Sequence, residues 1–340
     1  MYIIDKATYE RLYKEKRLFG RYINHDQLSP SLDDLNDYLF KHDLSENGEP
    51  IKLYKLGTGA KKILIWSQMH GNETTGTKAL IDYVKYLFTN VTLLDNATFY
   101  ILPMLNPDGS RLFTRVNYKK VDLNRDAVDY QSKELKFLKS ILDEVNPDYC
   151  FNLHDQRNIF NPKGSKLPAT LSFLAPSEDL GRSITESRKT TMEVIAFMYQ
   201  NLKSSLPGGI GRYTDEFYPT ATGDNFQKLG YPTILIEAGH YIGDLVREHS
   251  RYYNFLALYL GVNYILDDDT KSDYEIYFEI PENDNICFDL IERGVRIGPN
   301  DFTDIGYLYS FHIEGEKAIP FLKEEKRGDL GKSISFKDLS

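Results

Sequence analysis

Residues 63–73, Ile63-Leu64-Ile65-Trp66-Ser67-Gln68-Met69-His70-Gly71-Asn72-Glu73, constrain the fold of this chain more than any other stretch. The apolar run Ile63–Trp66 reads as a buried strand. It stops at a short polar turn carrying His70 and Glu73, and a helical segment follows from Gly76 to about residue 89. A His and a Glu three residues apart, on a turn leaving a strand, can both face one point in space. Imidazole nitrogen and carboxylate oxygen together suit zinc. Open α/β sheets build their sites at this end of their strands.

Further segments carry the same signature. Ala97–Leu102 is an apolar strand that runs into the turn Pro103-Met104-Leu105-Asn106-Pro107-Asp108-Gly109. Tyr149–Leu153 is a strand ending in His154, and Thr233–Ile236 is a strand ending at Glu237. Helical periodicity covers 132–145, 179–203 and 244–266, with a short helix at 224–229. Ile51–Leu56 and Ile63–Trp66, joined through Gly57-Thr58-Gly59, look like a hairpin opening the sheet. Ahead of them, Ser31 caps a helix predicted to reach about Leu44.

At Asp267–Asp273 the chain becomes a polar, acidic linker, and short alternating strands follow at 274–280, 286–291, 293–297 and 307–313. The predicted organisation is an N-terminal extension over 1–49, a main domain over 50–268 and a small β-rich C-terminal module over 272–340. The fold class is α/β, a three-layer α/β/α domain whose mixed sheet has helices on both faces.

Composition narrows the partners. The 41 basic and 50 acidic residues give a net charge of −9, which disfavours nucleic acid. Only two cysteines are present, Cys150 and Cys287, far apart, which fits a reducing compartment. No stretch reads as a signal peptide or approaches a membrane span, so the expectation is a cytoplasmic protein without a membrane partner.

The polar strand ends define a chemistry. A catalytic zinc wants three protein ligands and one open position. His70, Glu73 and His154 supply two nitrogens and a carboxylate, and Glu237 is then available as general base on a zinc-bound water. Arg115 and Arg125, with Asn124, lie in the irregular segment after Asn106–Gly109 and offer positive charge for an oxyanion or a carboxylate.

In order, His70-Gly71-Asn72-Glu73, Asn106-Pro107-Asp108-Gly109, Arg115-Val116-Asn117, Val121-Asp122-Leu123-Asn124-Arg125, His154 and Glu237 resemble the zinc carboxypeptidase family, the carboxypeptidase A-like metallopeptidases. The likeness covers about residues 50–265 and is nearest to a compact bacterial branch that includes murein peptide amidases. It implies a zinc site of His70, Glu73 and His154, with Asp122 hydrogen-bonded behind a ligand histidine. By the same resemblance Arg115 polarises the scissile carbonyl, Asn124 and Arg125 grip the substrate's terminal carboxylate, and Glu237 is the general base and then the proton donor. Tyr218, with Tyr213 as the alternative, stands where a mobile-loop tyrosine completes such sites.

Asp155, after His154, departs from many relatives; it is a group behind the ligands, a binder of a substrate amine or a solvated acid. Gly223 and Asp224 fall near the family's side-chain pocket. His240 reads as structural and Arg111 as a rim residue. The expected function is a metallocarboxypeptidase acting on a peptide. The alternatives are an amidohydrolase that deacylates a small N-acyl amino acid, as in aspartoacylase and succinylglutamate desuccinylase with their appended β-domain, and a non-catalytic binding module.

Overall fold

The structure, a computed structural model, describes residues 3–339. An eight-stranded mixed sheet forms its centre. The strands are β1 (Leu39–Leu44), β2 (Pro50–Leu56), β3 (Lys61–Ser67), β4 (Ala97–Leu102), β5 (Tyr149–Asp155), β6 (Leu171–Leu174), β7 (Ile210–Arg212) and β8 (Thr233–Ala238). Their order across the sheet is β1-β2-β4-β3-β5-β8-β6-β7. The four central strands β4, β3, β5 and β8 run parallel. Their carboxyl ends therefore share one edge, and that edge carries the turn with His70 and Glu73, then His154, then Glu237.

Strand β3 shows why its sequence is an unbroken apolar run. Ile63 and Ile65 enter the core on one face of the sheet, and Leu64 and Trp66 the core on the other. A strand covered on both sides has no polar face to alternate with. Helices α1 (Lys6–Leu12), α2 (Thr75–Thr89), α3 (Pro107–Leu112), α4 (Lys133–Val145), α5 (Glu186–Leu202), α6 (Thr222–Lys228) and α7 (Glu248–Leu266) surround the sheet. The first core takes residues from α2, α5 and α7; the second takes Leu135, Leu138, Ile141 and Leu142 from α4. This is the three-layer arrangement that the sequence predicts.

Some local expectations are corrected. The strands at 50–56 and 61–67 are not a hairpin: β4 lies between them, antiparallel to β2 and parallel to β3. The turn chemistry of Gly57-Thr58-Gly59 says nothing about which strand fills the gap. The helix expected from Ser31 to Leu44 is a 3-10 stretch, Ser29–Tyr38, followed by edge strand β1. That strand is mostly exposed and carries Lys41, His42 and Asp43, so it lacks the alternation by which a strand is recognised. The strand expected at 274–280 is a 3-10 helix, Tyr274–Glu279, with Tyr277 buried beneath it.

Beyond residue 280 a four-stranded sheet is built from β9 (Leu290–Arg296), β10 (Phe302–Glu314), β11 (Lys317–Gly328) and β12 (Asp338–Leu339). Strands β10 and β11 form a long hairpin that turns at Gly315, whose positive φ of 59° suits a residue without Cβ. Among the described residues, no helix is long and apolar enough to cross a membrane.

The N-terminal segment is locked to the core through buried charge. Arg251 on α7 and Asp82 on α2 are both fully buried and make two hydrogen bonds of 2.7 Å. Around them, Tyr9 Oη donates to Asp82 at 2.6 Å, Glu15 N donates to Asp82 at 2.7 Å, and Arg251 donates to the carbonyls of Glu15 and Leu18. Removing one member of such a pair strands a buried charge. Asp82→Asn is expected to lower unfolding free energy by about 3–5 kcal/mol, read from urea denaturation.

Glu248 faces Lys78 at 2.6 Å and Arg251 at 3.1 Å. Burial opposes its ionisation, but these cations outweigh burial and hold its pKa down at about 2. A carboxylate depressed in the folded state stabilises above its unfolded pKa, about 4.3, and loses that contribution as pH falls towards the folded value. The stability difference between wild type and Glu248→Gln is therefore expected to be largest near neutral pH and to narrow below about pH 4; denaturation curves from pH 7 to pH 2.5 test this.

Candidate metal centre

The turn that presents His70 is held from several sides. Gln68 adopts a left-handed backbone conformation, φ 52°. Its side-chain amide nitrogen donates to the carbonyls of Ile23 and Gly71, and Thr77 Oγ1 donates to its amide oxygen. Gly71 lies against the start of α3, where a Cβ would fall 1.9 Å from the carbonyl carbon of Gly109. Only glycine permits that approach. Asn106 completes the joint: its side chain accepts from Gly109 N at 2.8 Å and donates to the carbonyl of Met69 at 3.1 Å. The two sequence motifs at 70–73 and 106–109 are thus two halves of one backbone contact.

His70, Glu73 and His154 converge, with their ligand-type atoms all within 4.8 Å of one another. His70 Nδ1 lies 2.8 Å from one Glu73 carboxylate oxygen, His154 Nδ1 lies 2.8 Å from the other, and the two imidazole nitrogens are 3.2 Å apart. Zinc bonded tetrahedrally at about 2.0–2.1 Å spaces its ligand atoms roughly 3.3 Å apart, so these residues fit such an ion.

The donor chemistry agrees. Asp122 lies 3.1 Å from His70 Nε2 and selects the tautomer that leaves the Nδ1 lone pair facing the cluster. Three electron-rich atoms pointing at one spot repel unless a cation joins them. Burial disfavours a charged His70, yet Glu73 and Asp122 outweigh it and raise its pKa, whereas burial lowers that of His154. Burial also opposes the charge on Glu73, but the two imidazoles hold its carboxyl well below the ordinary range. Asp155 N donates to Glu73 at 3.1 Å, which anchors that carboxylate further.

Around the cluster lies a cavity of about 410 Å³ lined by Arg115, Asn124, Arg125, Tyr213, Tyr218 and Glu237, among others. Register across the sheet sets Glu237 beside His154. Burial, with the neighbouring charges of Glu73 and Asp155, pushes the Glu237 carboxyl well up. Arg115 donates to Asp122 at 2.9 Å and reaches Glu73 at 3.4 Å. Asn124 accepts from Thr222 N through its amide oxygen, and its amide nitrogen has no protein partner among the described residues. Arg125 likewise has no acidic partner there; its guanidinium lies 4.9 Å over the ring of Tyr218.

Tyr218 is half exposed at the cavity mouth. Tyr213 sits deeper, where burial and the charges of Glu237 and Glu73 raise its pKa well above the usual phenol value. Asp155 is no solvated acid: it accepts from Thr75 Oγ1 at 2.7 Å and pairs with buried Arg247 at 3.3 Å. Asp224 supports the backbone by accepting from Tyr218 N at 2.9 Å, and burial raises its pKa to about 6. Arg111 lies away from the cluster, paired with Asp26 and Glu49. His240 packs against Phe336 at 5.2 Å instead of joining the ligands. Arg247 was invisible to motif reasoning, because it lies between strand β8 and helix α7 without a local pattern.

The sequence profile described as zinc carboxypeptidase matches residues 40–172. The chain is 28% identical over 153 residues to carboxypeptidase E of Caenorhabditis elegans, covering 35% of this chain and 32% of that protein. It is 25% identical over 129 residues to carboxypeptidase 2 of Trichophyton rubrum, covering 36% and 24%. The match thus spans about a quarter to a third of these relatives' length. Among solved structures, a metallo-carboxypeptidase from Burkholderia cenocepacia superposes with a TM-score of 0.55 at 17% identity, covering 72% of this chain and 69% of that one. Carboxypeptidase A from Helicoverpa armigera gives 0.59 at 14% identity, covering 78% and 79%. At these identities the structural likeness speaks for the fold.

The hydrogen bond behind His70 can be probed directly. Asp122→Asn is expected to weaken zinc binding by about 10–100-fold, measured by competition with a chromophoric chelator, while the far-UV circular dichroism stays unchanged.

Proposed function

We propose that this chain, which the zinc carboxypeptidase profile matches over residues 40–172, is a zinc-dependent hydrolase that cleaves the amide bond beside a free terminal carboxylate. One observation carries this above the rest. A carboxylate-binding pair without an acid of its own, Asn124 and Arg125, shares a single cavity with the His70–Glu73–His154 cluster and Glu237.

His70, Glu73 and His154 would hold the zinc. When bound, the ion supplies a Lewis acid that polarises a carbonyl and lowers the pKa of water. The remaining roles belong to the chain. Arg125, fixed over Tyr218, and the free amide of Asn124 bind the substrate's terminal carboxylate and set which bond reaches the cluster. Arg115, steadied by Asp122 and Glu73, offers its guanidinium to the oxygen on which charge develops. Glu237 takes the proton from the attacking water and gives it to the departing amine. Tyr213 or Tyr218 would close over the substrate, Tyr213 from within the cavity and Tyr218 from its mouth.

Deacylation of a small N-acyl amino acid is the second reading. It uses the same residues and is favoured by the C-terminal sheet, which walls the space beyond Arg115 and leaves room for a short acyl group.

The test is metal content together with turnover. Wild type is expected to carry about one zinc per chain, and His154→Ala to lose it. Glu237→Gln is expected to keep the metal and to lose about 10²–10⁴-fold in kcat on peptides or N-acyl amino acids with a free carboxylate. Amidated substrates should resist cleavage. Full activity of Glu237→Gln, or turnover indifferent to a free carboxylate, would overturn the proposal.

A further inference from the structure

A second cavity, about 490 Å³, adjoins the first and shares Glu73, Arg115, Asp155, Gln156 and Arg157 with it. Its far wall comes from the C-terminal sheet: residues 308–311 of β10, and Lys323 and Glu325 of β11. Arg21, from the N-terminal segment, and Arg247 complete it. The volume is that of a small-ligand pocket, about 300–1,000 Å³.

The charges on these walls do not balance. Five cations line the cavity, Arg21, Arg115, Arg157, Arg247 and Lys323, against three acids, Glu73, Asp155 and Glu325. Each acid is already engaged. Glu73 belongs to the imidazole cluster, Asp155 pairs with Arg247, and Glu325 pairs with Arg157 at 2.5 Å. Arg115 is taken by Asp122. Arg21 and Lys323 are left without an acidic partner among the described residues.

Arg21 is the more telling of the two. Its guanidinium lies 4.6 Å over the ring of Phe311, half-buried, where desolvation and nearby Arg247 push its pKa down to about 9 against the opposing charges of Asp155, Asp289 and Asp244, none of which pairs with it directly among the described residues. Arg247 is itself 99% buried, and its Nε has no partner among the described residues. Desolvated cations with spare donors are poised for an anion.

The orientation follows from the proposed reaction, on which this inference rests. The scissile carbonyl belongs at the cluster and Arg115, where the two cavities meet. The leaving side, with its terminal carboxylate, runs to Asn124 and Arg125. The acyl side must then enter the second cavity. We propose that this cavity selects an acyl residue bearing a carboxylate, received by Arg21 and Lys323, so that the C-terminal sheet acts as a specificity wall for acidic substrates.

The experiment uses the zinc-loaded Glu237→Gln protein and acetylated dipeptides whose acyl-side residue is glutamate or glutamine, each in both hands. Calorimetry is expected to show the glutamate peptide of one hand binding at least about tenfold more tightly than its glutamine partner. Adding Arg21→Gln and Lys323→Gln should bring the two within about twofold while leaving affinity for the glutamine peptide unchanged. Lys323→Gln alone, on an exposed strand where folding is not at stake, should remove part of the preference. Equal binding of the two peptides, binding of neither, or a preference untouched by these replacements would overturn the proposal. Wild-type turnover separates it from the reaction itself. A preference that depends on Arg21 and Lys323 without any cleavage supports the anion site and sinks the hydrolase; equal binding with cleavage of both peptides does the reverse.

Discussion

Everything at the site depends on one backbone contact, the approach of Gly71 to Gly109. The turn after β3 can carry His70 and Glu73 towards His154 only if it folds flat against the start of α3. The absence of a Cβ at Gly71 permits this, and Asn106 fastens it by bonding to Gly109 on its own side and to Met69 on the other. From there the order propagates outward. Asp108 accepts from Ser45 and from the backbone of Asn47, tying the turn to the loop between β1 and β2. Asn117 closes the following loop on Val121, which delivers Asp122 to His70 and begins the short turn that holds Asn124 and Arg125. A ligand cluster whose lone pairs repel when its imidazoles are neutral and no cation is bound needs such a frame.

A second constraint works on the opposite side of the molecule. Asp82 and Arg251 neutralise each other inside the first core, and the hydrogen bonds they cannot give one another go to the backbone of residues 15–18. A buried ion pair repays its desolvation cost only where its remaining hydrogen-bonding groups are satisfied. Here the satisfaction is supplied by the N-terminal segment, so that segment has one register on the body. That register brings Arg21 to the rim of the cavity, far in sequence from anything else there.

Much of this was legible in the sequence, and the reasons differ by element. Strands β3, β5 and β8 announced themselves because both of their faces are buried, and the polar residue ending each run marked the edge where a site could form. Helix α4 was legible from its apolar stripe. Strand β1 and strand β11 were not, since both are largely exposed and hydrophobic pattern reports burial, not strand geometry. The false hairpin between β2 and β3 has the same origin: local turn residues fix a reversal of direction, while the partner of each strand is decided by the whole sheet. At the site, residues within motifs could be named one by one. The alliances between motifs, Asp155 with Arg247 and Arg21 over Phe311, join segments that no local spacing connects.

The C-terminal sheet gives these alliances a direction. Its small apolar core is built from Phe288, Leu290, Ile291, Ile305, Leu308 and Leu330. Ile159 and Phe160 of the main domain pack against that core, and polar contacts add to the mooring: Asn158 donates to Asp289, and Arg157 pairs with Glu325. Asp289 also accepts from Tyr309 N on β10, so residues 308–311 are fixed relative to the loop that follows His154. An interface built on hydrogen bonds holds a precise distance at modest gain in stability. That is what a wall beside a reacting group requires. Asp289 and Arg157 tie β10 and β11, which carry Phe311 and Lys323, to the segment after His154. Through the same mooring a mostly exposed sheet supplies one wall of a cavity whose other wall belongs to the main sheet and its loops.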